Sequence, residues 1–143
     1  MKRQATAVWR GGGKDGQGTL TTTSGALKEQ PYSAAMRFQS EDGKAGTNPE
    51  ELIAAAHAGC FAMALSFRLE AAGFKPDELR AEAVITIEKE DSGWTIRSSD
   101  LKLRAKVPGI SAAQFAELAE AAKATCPVSR VLNAKISLDA SLA

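Results

Sequence analysis

One stretch constrains this chain more than any other. From Leu52 to Leu65 the only polar side chain is His57, with Ala, Leu, Ile, Phe and Met on all faces. The signals just before it set a helix start. Asn48 is a good N-cap, Pro49 suits the first helical position, and Glu51 stands where a capping box puts its acid. Glu50 and Glu51 also complement the positive end of the helix dipole. The helix is predicted to run to about Ala72 and to stop at Gly73. A helix that is apolar all round has to be surrounded by protein, more than one chain of this size is expected to supply.

The chain has 143 residues, 44% hydrophobic and 24% charged, with 18 basic against 17 acidic side chains. That describes one globular domain over residues 1–143, not a disordered or collagen-like chain. A formal charge of +1 gives no electrostatic reason to expect nucleic acid or an anionic membrane as partner. The polar start, Met1 to Thr6, has no apolar signal core. The apolar run from Leu52 to Phe67 is interrupted by His57 and reads as too short for a membrane span. A cytoplasmic location is expected, where a lone disulfide is usually transient and catalytic.

Around the helix the pattern is mostly β. Gln4 to Arg10, Gly18 to Thr23 and Tyr32 to Gln39 read as three short strands. Leu79 to Lys89 and Trp94 to Val107 form two longer ones, with Ser92-Gly93 as the turn. Ser111 caps a second helix with Gln114 at the capping-box position, and this helix ends before Cys126-Pro127. Pro127 to Asn133 reads as a short helical turn, and Ala134 to Leu142 as a closing strand. The predicted order is βββ-α-ββ-α-β, an α+β domain with an antiparallel sheet wrapped around a central buried helix.

The reactive inventory is short: two cysteines, Cys60 and Cys126, and one histidine, His57. It falls short of the tetrahedral Cys/His set of a structural zinc site, and one bridge is too few for a disulfide scaffold. Cys60 inside the apolar helix could pack as a small hydrophobe. Cys126 ends one helix and precedes a proline-led turn, where backbone N–H groups favour a thiolate and an element terminus permits movement. Together they suit an attacking and a resolving thiol, without the spacing of a thioredoxin-type motif. A buried thiol ionises near neutral pH only beside a cation. His57, one turn before Cys60, reads as a core histidine or as that neighbour. Arginine is the better candidate because it stays charged when buried. Arg37, in the third predicted strand, competes with Arg68 and Arg130, and residue types alone do not rank them.

The run Thr47-Asn48-Pro49-Glu50-Glu51-Leu52-Ile53, then Ala56-His57-Ala58-Gly59-Cys60-Phe61, with Cys126-Pro127-Val128-Ser129 downstream, closely resembles the osmotically inducible protein C (OsmC) family. The resemblance extends over Gly25, Pro31-Tyr32, Arg37-Phe38 and Val107-Pro108-Gly109-Ile110. It implies an intertwined homodimer with sites at the subunit interface and a thiol-dependent peroxidase acting on organic hydroperoxides. Cys60 then matches the peroxidatic cysteine and Cys126 the resolving cysteine. Arg37 and Glu50 match the arginine and glutamate that orient and activate the thiolate. The related organic hydroperoxide resistance branch takes its arginine from a Gly-Gly-Arg-Asp-Gly loop. Here that loop reads Gly12-Gly13-Lys14-Asp15-Gly16, so Lys14 replaces it and the chain falls in the OsmC branch. The resemblance also points to a lipoyl-type dithiol as reductant. Metal, flavin and haem are not required, because sulfur carries the electrons.

Helix geometry gives a separate reason for a dimer. Glu50 and Cys60 stand roughly 15 Å apart along the axis of a straight helix, so part of the group that serves Cys60 is expected from a second copy. Ala56, Phe61, Met63 and Met36 are candidate walls for a hydrocarbon-bearing peroxide. Two other readings compete. A Cys–His hydrolase would use Cys60 and His57 and leave Cys126 idle. A non-enzymatic dimeric binding module would treat both cysteines as core. The glycine-rich loop is no phosphate cradle, since Asp15 follows Lys14 where such a loop needs Ser or Thr.

Overall fold

The computed structural model describes residues 1–143. They form two compact units, Met1–Leu52 and Ile53–Ala143.

The first unit is a three-stranded antiparallel sheet in the order β1 (Ala5–Arg10), β2 (Gln17–Thr22), β3 (Gln30–Ser33). Gly18 sits opposite both Trp9 and Tyr32. The two rings close over it with centroids 5.3 Å apart. A Cβ at Gly18 would come within 2.5 Å of the Tyr32 ring and 2.8 Å of the Trp9 ring, so this cross-strand aromatic pair requires glycine between its members. The chain then departs from the sequence expectation. The run from Tyr32 to Gln39 does not continue as a strand. Ser33 caps a short helix, α1 (Ala34–Phe38), by accepting from the Met36 N–H at 3.1 Å. Arg37 is therefore helical. The reason is local: Ala34, Ala35, Met36 and Arg37 are strong helix formers behind a good cap.

The long helix α2 (Pro49–Ala71) starts as predicted, with Asn48 Oδ1 accepting from the Glu51 N–H at 2.8 Å. It ends in a Schellman turn. Gly73, at φ +85°, donates to the Glu70 carbonyl and Phe74 donates to the Leu69 carbonyl. The helix has 23 residues, long and apolar enough by length and composition to cross a membrane. The length argument against a span therefore fails. Within the chain the helix packs by one face: His57, Phe61, Leu65 and Leu69 form one buried stripe.

That stripe meets the second sheet, β4 (Glu78–Glu90), β5 (Gly93–Lys106) and β6 (Lys135–Leu142), together with α3 (Ala112–Thr125). Phe61, Leu65 and Leu69 join Leu101, Leu103, Ala105, Val107, Phe115, Ala119, Ala122 and Cys126 in a single cluster. Each large apolar side chain buried there contributes about 1.5–3 kcal/mol. The α+β class holds, with a mixed rather than antiparallel second sheet. β4 and β5 pair antiparallel, but β6 lies parallel to β5. The intervening α3 and α4 (Pro127–Val131) form the crossover that a parallel pairing requires. This chain covers α2 on one face only: Met63 and Phe67 are 62% and 65% exposed.

Candidate active site

The structure assembles the four proposed site residues as two pairs. In the first unit, Arg37 and Glu50 form a bidentate ion pair. Arg37 Nη2 donates to Glu50 Oε1 at 2.6 Å, and Nε donates to Oε2 at 3.1 Å. The Arg37 side chain is 34% exposed and Glu50 12%. This fork geometry fixes the guanidinium plane as a lysine could not. The Phe38 ring supports the same plane, with its centroid 4.8 Å from Cζ. Beside the pair lies a hollow of about 200 Å³, walled by Trp9, Tyr32, Phe38 and Pro49.

In the second unit, Cys60 on α2 meets Cys126, which caps the end of α3 and opens α4. Both thiols are free; Cys126 is fully buried and Cys60 partly exposed. Their side chains are neighbours. Burial pushes the Cys60 thiol up, the neighbouring Cys126 thiol pushes it further, and the Val128 N–H pulls it down. One thiol is reachable and the other dry.

The competing arginines have other places. Arg68 donates to Thr125 Oγ1 at 2.8 Å and so ties α2 to the last turn of α3. Arg130 is exposed near the end of α4, and Lys14 is exposed in the Gly-rich loop. Of the three arginines, Arg37 is the one held by a carboxylate fork.

His57 is the core histidine that the sequence allowed. It is fully buried, with Nδ1 2.6 Å from Ser99 Oγ and Nε2 2.8 Å from Ser129 Oγ. Burial lowers its pKa and keeps the ring neutral. Both ring nitrogens are engaged by hydroxyls, which argues against the hydrolase reading, since a base for Cys60 needs a free nitrogen.

The expected walls are partly displaced. Phe61 is fully buried in the core, and Met63 and Ala56 lie on the exposed face of α2. Met36 packs against Gly46. The walls next to Arg37 are instead Trp9, Tyr32, Phe38 and Pro49. Sequence reading also missed the Val128 amide and the two serines. A backbone amide leaves no trace in residue type. Ser99 and Ser129 stand 42 and 72 positions from His57, beyond any periodicity.

Residues 41–141 match the family model of OsmC-like protein. The chain is 48% identical to peroxiredoxin OsmC of Escherichia coli (strain K12), over 99% of this chain and 97% of that one. The crystal structure of the organic hydroperoxide resistance protein OhrB of Bacillus subtilis superposes with a TM-score of 0.72 at 27% identity, covering 96% of this chain and 98% of that one. An OsmC-like protein of unknown function from Vibrio cholerae shares the fold, with a TM-score of 0.78 at 15% identity and 99% coverage of both chains. Motifs, fold and comparisons agree: the chain belongs to the OsmC-like protein family, on its OsmC branch.

Proposed function

We propose that this protein reduces organic hydroperoxides to alcohols, with Cys60 as the attacking thiolate and Cys126 as the resolving thiol. It is a cysteine-based peroxidase of stress defence, as its family membership and its 48% identity to a peroxiredoxin imply. The observation that carries the finer reading is the pairing of two free thiols as neighbours, one partly exposed and one buried.

The Cys60 thiolate attacks the O–O bond, the alcohol leaves and a sulfenic acid remains. Cys126 condenses with it, and an external dithiol, of lipoyl type on the family resemblance, reopens the disulfide by exchange. A thiol that burial pushes up needs a cation to ionise near neutral pH. Arg37, oriented by Glu50, is the proposed cation and hydrogen-bond donor to the peroxide. The aromatic walls beside it suit a hydrocarbon tail better than hydrogen peroxide.

The working unit is proposed to be a cytoplasmic homodimer with composite sites. Two observations support the dimer. The first unit buries no hydrophobic side chain of its own, and α2 leaves Met63 and Phe67 open. Steady-state assays with an alkyl hydroperoxide, comparing lipoamide, thioredoxin and glutathione, test the reading. Turnover with a dithiol and little turnover of hydrogen peroxide is expected. A protein that consumes neither peroxide with any of these reductants contradicts it.

A further inference from the structure

His57 is fully buried, and the proposed chemistry gives it no task. Burying a polar ring is unfavourable unless both nitrogens find partners, and an aliphatic residue would pack there without that demand. Its partners lie on different elements: Ser99 is fully buried on β5, and Ser129 lies in α4. The ring is thus a strut from the sheet, through α2, to α4.

α4 has only five residues, and its N-cap Cys126 makes no side-chain capping bond. A helix this short does not hold itself in water, and its Val131 side chain is 76% exposed. Yet three of its neighbouring groups meet α2. The Cys126 thiol and the Val128 N–H neighbour the Cys60 thiol, and Ser129 Oγ lies 2.8 Å from His57 Nε2. His57 is one turn before Cys60, so the grip and the thiol leave the same side of one helix.

We infer that His57 is a positioning residue for disulfide closure: by holding Ser129 it fixes α4 so that the Cys126 sulfur stays in line with the Cys60 sulfur. The inference rests on the peroxidase reading above. In the step concerned, Cys126 sulfur attacks the sulfur of the Cys60 sulfenic acid. The S–S bond forms and the S–O bond breaks. The Cys126 proton leaves with the hydroxyl as water. Cys126 is oxidised from thiol to disulfide while the sulfenic sulfur is reduced by the same pair of electrons. Such an in-line displacement is sensitive to small misplacement.

The test uses the full-length protein and follows single turnovers with one equivalent of alkyl hydroperoxide. Timed trapping of the sulfenic acid with a 1,3-diketone is read by intact mass. Ser129→Ala should prolong the sulfenic acid about tenfold, the rate equivalent of one lost hydrogen bond, and slow its formation much less. His57→Gln, whose amide falls near the Nε2 position, should restore closure toward the parent rate. His57→Asn, which reaches only toward Ser99, should not. A purely structural role would instead lower the unfolding midpoint and slow both steps in proportion. The inference is overturned if Ser129→Ala closes as fast as the parent, or if the Gln and Asn variants close equally fast. A His57 variant that fails to fold leaves Ser129→Ala to decide. A parent protein that forms neither sulfenic acid nor disulfide overturns the peroxidase reading and this inference together.

Discussion

Met1–Leu52 buries no hydrophobic side chain, whereas Ile53–Ala143 closes eleven into one core. The first unit holds together by other means: strand pairing, the Trp9–Tyr32 contact over Gly18, and the Ser33 and Asn48 caps. A small sheet with every β1 residue exposed is marginal in water. The second unit is held by burial and contains the thiols. The contrast separates two settings: a dry core holds the two thiols as neighbours, and a lightly buried unit carries the Arg37–Glu50 ion pair. It also leaves each unit with uncovered apolar surface, Val8 and Trp9 in one and Met63 and Phe67 in the other.

The contrast predicts opposite sensitivities. Phe61→Ala should destabilise the protein by about 3–5 kcal/mol, because it empties a fully buried site. Trp9→Ala should cost far less in denaturant unfolding; equal losses would erase the distinction between the units. Arg37→Ala should do the reverse. Its partly exposed ion pair stabilises by at most about 1 kcal/mol. Peroxide reduction should nevertheless fall roughly a hundredfold, as when one preorganised donor is removed. Loss of a cation raises a thiol pKa, so alkylation of Cys60 in this variant should shift to higher pH. An unshifted profile would remove Arg37 from the site.

Phe67→Glu probes the uncovered face. Sedimentation should show dissociation of the proposed dimer at assay concentration and loss of activity, while Cys60 and Cys126 stay reduced and neighbouring. A dimeric, active variant would show that this face is not the seam. The smallest effect concerns acid. His57 is held neutral, with its pKa below 6.5, so the unfolded chain takes up the proton first. Stability from this group is therefore present above that value and lost as pH falls below it. Unfolding midpoints from about pH 8 to about pH 5 should show this slope, and His57→Gln should flatten it.

Helix α2 was legible end to end, because Asn48, Pro49, Glu51 and Gly73 each act within one turn of the chain. The second pair of strands was legible from alternation and the Ser92-Gly93 turn. Arg37's helix was not, although Ser33 followed by Ala-Ala-Met-Arg carried the signal; the strand pattern before it was extended too far. The direction of β6 could not be read either, since period-two patterning is the same in parallel and antiparallel strands. The proposed site residues Cys60, Cys126, Arg37 and Glu50 came from motif resemblance. The grip of His57 on Ser129 joins residues 72 positions apart, and only the folded chain brings them together.

Intact mass tests the central claim most directly. After one equivalent of alkyl hydroperoxide, the parent protein should lose the mass of a pair of hydrogens as the Cys60–Cys126 disulfide closes. In Cys126→Ser the loss should vanish and a trappable sulfenic acid should accumulate on Cys60. A parent whose mass does not change, or a Cys126→Ser variant that still loses the hydrogens, would contradict the account.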